Sequence, residues 1–258
     1  MLAILSPAKT LDYETPLITK KFSEPEFVTE SGELIDALRK LSPEDLSTKM
    51  KISDKLAQLN AERYADWRPD FPNGAARPAI HAFKGDVYLG LDAPTLSARD
   101  HNYAQKHLRI LSGLHGLLRP LDRIRPYRLE MGTRLDTTQG KNLYDFWGTK
   151  VTDALNESIA EHNHRALINL ASNEYAHVVQ PESIGARIID VSFLDFKNGD
   201  YKFISFFGKK ARGSMARYMI DHRVKTLKQL RAFDYDGYRF SEERSAGDRW
   251  VFTRKQAD

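Results

Sequence analysis

Short apolar runs alternating with amphipathic stretches organise this chain. Leu2-Ala-Ile-Leu5 reads as a short buried strand ending at Ser6-Pro7. Residues 10–30 look irregular, because Pro16 and Pro25 block long helices. Over residues 32–41 the apolar positions Leu34, Ile35, Leu38 and Leu41 share one helical face. Ser42-Pro43-Glu44-Asp45 is a helix start: the hydroxyl caps free amides, proline fits the first turn and two acids complement the positive helix end. That helix should stop near Met50. Ser53 should then cap a second helix, in phase through Leu56, Leu59 and Tyr64 as far as Trp67, with Pro69 and Pro72-Asn73-Gly74 stopping it.

Further along, residues 79–83 and 87–89 resemble strands around a Lys84-Gly85-Asp86 turn. Ser97 with Asp100 should open a helix carrying Tyr103, Leu108, Leu111 and Leu114, which puts Ser112-Gly113 in a helical pattern. Residues 119–134, broken by Pro120 and Pro126, read as a basic loop, and 142–163 as helix. Residues 166–171, 186–196 and 201–207 are β-branched, apolar or aromatic runs of strand length, followed by a helix from Lys209 to about Arg223. Residues 249–254 alternate like an edge strand. No linker, repeat or low-complexity run divides the chain, so 1–258 is read as a single domain. Strands mixed with helices, without a regular βαβ rhythm, predict an α+β (mixed α/β) fold, a mixed β-sheet surrounded by helices.

Composition narrows the function classes. With 41% hydrophobic and 29% charged residues the chain can bury a core and keep a solvated surface. No stretch approaches the roughly 18 apolar residues of a membrane span, and residues 1–5 are too short for a signal-peptide core, so a cytoplasmic protein without membrane partners is expected. The absence of cysteine removes disulfides, thiolate metal sites and thiol peroxidase chemistry. The net charge of +4 is unevenly spread: residues 106–134 carry +5 and residues 201–231 carry +8, which leaves −9 for the rest. Brought together by folding, those segments would attract a polyanion; apart, each is a solvated face.

Three expected strand ends carry polar clusters: Ser6-Pro7-Ala8-Lys9-Thr10, Ser172-Asn173-Glu174-Tyr175 and Gly208-Lys209-Lys210-Ala211-Arg212. If the strands are parallel neighbours, the loops open at one sheet edge and Ser6, Lys9, Ser172, Glu174, Lys209, Lys210 and Arg212 converge. Gly208 followed by two lysines at a helix start would be an anion site, although no GxxxxGK[ST] or GxGxxG pattern supports a standard nucleotide motif. Glu174-Tyr-Ala-His177 has half the spacing of a di-iron site but no second half, and His162-Asn-His164 has no nearby carboxylate. No GxSxG elbow is present, and Ser6 with Lys9 is a serine–lysine pair only if the two meet. No metal and no cofactor are therefore expected. The helix pair over residues 43–67 resembles a helix-hairpin-helix, with Lys49, Lys51 and Lys55 bracketing the connection. Ser53 and Asp54 stand where that motif has glycines, and a plain α-hairpin fits the pattern as well.

Taken in order, Leu5-Ser-Pro-Ala-Lys-Thr-Leu-Asp12, Ile52-Ser-Asp-Lys-Leu-Ala57, Ala82-Phe-Lys-Gly-Asp-Val-Tyr88, Leu111-Ser-Gly-Leu114, Leu118-Arg-Pro-Leu-Asp122, Pro126-Tyr-Arg-Leu-Glu-Met-Gly132, Asn169-Leu-Ala-Ser172 with Glu174-Tyr175, and Lys209-Lys-Ala-Arg-Gly213 resemble the motifs of the YaaA family, the DUF328/UPF0246 group. The resemblance implies a cytosolic protein of the hydrogen peroxide stress response that lowers free iron and limits Fenton damage. It also implies binding of double-stranded and branched DNA in a positive cleft and a helix-hairpin-helix element; the sequence makes no obligate protein partner evident. On that reading Lys9, Lys49, Lys51, Lys55, Lys84, Arg119, Arg125, Arg128, Lys209, Lys210 and Arg212 would neutralise phosphates. In the alternative, Ser6, Lys9, Ser172, Glu174, Lys209 and Arg212, with Tyr175 beside them, form an enzyme pocket for a phosphorylated or carboxylated small molecule, with Glu174 as acid or base.

Overall fold

Eight segments build one mixed sheet in the computed structural model, which describes residues 1–72 and 74–255. They are β1 (Leu2–Leu5), β2 (Leu108–Ser112), β3 (Gly116–Leu118), β4 (Ala166–Leu170), β5 (Arg187–Lys197), β6 (Asp200–Lys202), β7 (Arg239–Phe240) and β8 (Arg249–Lys255). Their order is β7-β8-β5-β4-β1-β2-β3, with β6 paired to β5. The run β8-β5-β4-β1-β2 is parallel, while β3, β6 and β7 are antiparallel additions. All four residues of β1 are buried, as a central strand covered on both faces requires. The chain leaves β1 for β2 on one side and returns to β4 on the other. That reversal opens a crevice beyond the carboxyl ends of β1 and β4, where parallel sheets hold ligands.

The polar helix signals hold. Ser42 and Asp45 form a capping box for the helix Pro43–Met50, Ser53 caps Asp54–Asp66, and Ser97 with Asp100 boxes the start of Ala98–His107. Ser42→Ala should cost about 1 kcal/mol, read as a lower urea midpoint at unchanged slope. Leu46 and Met50 are buried with Ala57 and Tyr64, and the Tyr64 hydroxyl donates to the Arg128 carbonyl. The connection turns at Lys51, whose φ of 53° is the left-handed conformation that a glycine would adopt more easily. Of the Pro72-Asn73-Gly74 stop signal, Asn73 lies outside the described residues.

Tertiary packing overrides the local pattern elsewhere. Residues 79–83 and 87–89 are largely helical turns, Ala79–Ala82 and Asp86–Leu91, not strands. The second packs on the helix Ser205–Asp221 at backbone contact: a Cβ on Gly213 would lie 1.7 Å from the Val87 carbonyl oxygen, and one on Gly90 2.1 Å from that of Lys210. The helix expected through Leu108, Leu111 and Leu114 ends at His107, and β2 follows with all five residues buried. A strand buried on both faces places leucines at helical spacing by accident, so Ser112-Gly113 ends a strand. The expected strand 201–207 stops at Lys202, and the long helix that follows begins at Ser205. Gly208 consequently lies inside that helix, where a Cβ would come 2.3 Å from the Phe203 ring, and the lysines after it do not mark a helix start. Residues 142–163 divide at Gly148, φ 48°, into Leu143–Trp147 and Lys150–Ala160. The first helix is Val28–Leu38, not 32–41, because its first turn begins upstream of the apolar face. Strand β8 is covered by β7 and is not an edge. No helix among the described residues is long and apolar enough to cross a membrane.

Two buried histidines make stability depend on pH. His115 is fully buried, with Nδ1 2.9 Å from the Ser31 hydroxyl, and burial pushes its pKa down to about 3. His81 meets His101 through their Nε2 atoms at 2.8 Å; burial, then the neighbouring His101 and Arg77, lower its pKa to about 4. Unfolded histidines titrate near ~6.5, so between there and the folded values only the unfolded chain takes up these protons. Stability should fall as pH drops from about 6.5 toward 4, by ~1.4 kcal/mol per unit for each histidine. Urea unfolding at a series of pH values checks this, and His115→Gln should remove about one proton from the slope.

Candidate functional site

Beyond the carboxyl ends of β1 and β4 lies a cleft of about 500 Å³, and four separate segments line it. The β1 end supplies Ser6 to Thr10, the β4 end Ser172, Glu174 and Tyr175, the last long helix Lys209 and Arg212, and the turn before Asp86–Leu91 brings Lys84 and Gly85. The close glycine packing between the two helices thus sets the width of the cleft as well. Gly85 passes close enough to the β1 loop that a Cβ would lie 3.3 Å from that of Ala8.

The floor is held by hydrogen bonds between the two strand ends. Ser6 Oγ accepts the Ser172 amide at 2.9 Å and lies 3.3 Å from the Ser172 hydroxyl. The Tyr88 hydroxyl donates to the Ser6 carbonyl at 3.1 Å. Glu174 Oε1 accepts the Gly132 amide at 2.9 Å, and the Tyr144 hydroxyl donates to the Glu174 carbonyl at 2.8 Å. Burial raises the pKa of the Tyr88 and Tyr175 phenols well above 10, reinforced by neighbouring phenols and, for Tyr175, by carboxylates. Both therefore stay protonated donors at any physiological pH.

The cations differ in what they already hold. Lys9 Nζ is 2.5 Å from Glu130, which also takes Arg128 at 2.8 Å, so the Lys9 ammonium is already engaged by a carboxylate. Lys84 faces Asp12 at 3.6 Å and Lys210 faces Asp236 at 3.2 Å. Arg119 pairs with Asp122 at 3.0 Å and Arg125 with Asp70 at 2.8 Å. Lys209 and Arg212 have no carboxylate partner among the described residues. The Arg212 guanidinium lies 5.9 Å from the Phe203 ring centroid, and burial alone depresses its pKa. An arginine stays charged regardless, so a half-buried guanidinium without a counter-ion is poorly compensated until an anion arrives.

Of the expected phosphate-binding residues, then, Lys9, Lys84, Lys209 and Arg212 line the cleft. Lys49, Lys51 and Lys55 stand exposed on the helix pair, while Arg119, Arg125, Arg128 and Lys210 are engaged in ion pairs. The polar set Ser6, Ser172, Glu174 and Tyr175 converges in full. Asp86 and Tyr88 line the cleft as well, and Glu130 anchors Lys9, without having been singled out from the sequence; their signal was membership of the runs 82–88 and 126–132. The spacing Glu174-x-x-His177 does not make a ligand pair, since the His177 ring lies edge-on to Tyr144 at 4.9 Å while Glu174 holds Gly132. Among the described residues no group of three or more His, Cys, Asp or Glu could hold a metal ion.

Residues 1–244 match the family described as "Peroxide stress protein YaaA". The chain belongs to the YaaA peroxide-stress family. A UPF0246 protein of Ralstonia pickettii (strain 12J) is 57% identical over 255 residues, which span 99% of each chain. The matched region carries every element of the cleft, from Ser6 to Arg212, so the cleft lies within the YaaA unit itself.

Proposed function

We propose that this YaaA-family chain serves the peroxide-stress response as a cytoplasmic DNA-binding protein that grips the phosphate backbone of duplex and branched DNA and limits free iron and Fenton damage. The carrying observation is the pair Lys209 and Arg212, two cations at the cleft without a carboxylate partner among the described residues, beside Lys9 and Lys84 from distant parts of the chain. Backbone recognition needs positive charge more than base-reading geometry. The exposed Lys49, Lys51 and Lys55 supply a second cationic group on the helix pair. Affinity for a duplex should fall steeply between about 50 and 200 mM salt and vary little with base sequence. Binding that is absent, or indifferent to salt, sinks the reading. In a strain lacking the native gene, wild type should lower free iron measured by electron paramagnetic resonance after peroxide, and a variant that no longer binds DNA should not.

A second reading is favoured by size. About 500 Å³ suits a small ligand, and Ser6, Ser172 and Glu174 offer more polar detail than a phosphate backbone uses. Here the cleft is an enzyme site for a phosphorylated or carboxylated small molecule, with Glu174 as acid or base. Thermal stabilisation by such an anion that disappears in Glu174→Gln supports it; stabilisation by none of a broad anion panel counts against it.

A further inference from the structure

Resting on the anionic-ligand reading of the cleft, we infer that it holds one nucleotide unit, with the phosphate on Arg212 and Lys209 and an unpaired base inside. The chemistry of the lining separates into the two halves such a ligand needs. At one side the guanidinium of Arg212 and the ammonium of Lys209 lack counter-ions among the described residues. A phosphate satisfies both, and the fork of an arginine matches its oxygens. Elsewhere in the lining, the carboxylates of Asp86 and Glu174 would repel a second phosphate, so that part of the cleft is not an extension of the backbone site.

The lining combines apolar surface with hydrogen-bonding groups. Pro7, Ala8, Val87, Tyr88 and Tyr175 provide the surface, and Ser6, Ser172 and Glu174 provide donors and acceptors. A nucleobase has that same composition, an apolar face bounded by a polar edge. A paired base is shielded along its edge and stacked on both sides, and a space of about 500 Å³ cannot take the duplex that holds it. The base must therefore come from a free nucleotide or from an unpaired position of a strand. Phe203 and Phe206, 51% and 49% exposed, lie at the start of the helix that carries Lys209 and Arg212. For a strand, Phe206 offers a stacking surface to the next base; for a free nucleotide it has no task.

Titration calorimetry with deoxynucleoside 5′-monophosphates, ribose 5-phosphate, inorganic phosphate and a short oligothymidylate tests the assignment. Nucleotides should bind about tenfold or more tightly than ribose 5-phosphate, the difference being the base. Arg212→Gln should weaken every phosphate ligand, whereas Ser172→Ala and Glu174→Gln should shrink only the preference for nucleotide over ribose 5-phosphate. A strand as the natural source predicts that Phe206→Ala weakens the oligothymidylate about tenfold and leaves the monophosphates unchanged; a free nucleotide predicts no effect on either. Equal affinity for nucleotide and ribose 5-phosphate, or no measurable binding of nucleotide and oligothymidylate by folded wild type, overturns the inference. Salt-dependent duplex binding observed alongside that result leaves the DNA-binding function standing, and its absence removes both.

Discussion

Lys209→Glu combined with Arg212→Glu should lower duplex affinity about 100-fold near 0.1 M salt and flatten the plot of log affinity against log salt by about 2 units. A phosphate that no longer meets its cation keeps its condensed counterion, so each substitution reduces ion release by about one, and each reversed charge repels a phosphate that the native side chain attracts. These two positions matter more than a count of lysines and arginines suggests. Arg119, Arg125, Arg128 and Lys210 have carboxylates within 3.2 Å, so the field each presents to a polyanion is largely cancelled. Reversing Arg125 should accordingly change the salt slope far less. Reversal of Lys49, Lys51 and Lys55 provides the internal comparison. A larger loss there than at Lys209 and Arg212 would put the duplex on the helix pair, and unchanged affinity and slope in the 209/212 variant would remove the cleft from DNA binding.

Gly213→Ala should destabilise the fold by about 3 kcal/mol, near the upper end of ordinary overpacking. The added methyl would stand 1.7 Å from the Val87 carbonyl oxygen and 2.8 Å from the Leu91 amide nitrogen, both backbone atoms that cannot rotate away. Relief requires the helix Asp86–Leu91 to separate from Ser205–Asp221, which moves Lys84 and Asp86 away from Lys209 and Arg212. Ligand binding should weaken together with stability. Gly32→Ala is the matching control: its nearest neighbour is a Trp67 ring atom at 4.0 Å, and the position is helical. Removing a glycine from a helix there should stabilise by ~0.5–1 kcal/mol. Urea denaturation of both variants gives opposite signs if the distance to backbone, and not glycine content, governs the outcome.

The sequence determined what local chemistry can determine. Ser42, Ser53 and Ser97 capped the helices at which they were expected, because a cap joins atoms three residues apart. The apolar run of β1 was legible, since nothing polar interrupts it, and the clusters after β1 and β4 were legible as strand ends. The motif order carried the family assignment, and Ser6, Lys9, Ser172 and Glu174 meet at the neighbouring ends of the parallel strands β1 and β4, whereas Lys209 and Arg212 reach the same cleft from within a helix and not from a third strand end. Tertiary structure decided the rest. Residues 87–89 became helical through close glycine packing against residues 210–214, more than a hundred positions away, and Phe203 ended β6 early by folding onto Gly208. Which cations are free was equally invisible in the chain. Charge is a property of a residue, but its availability depends on whether folding sets a carboxylate beside it, and for Arg212 it sets a phenyl ring instead.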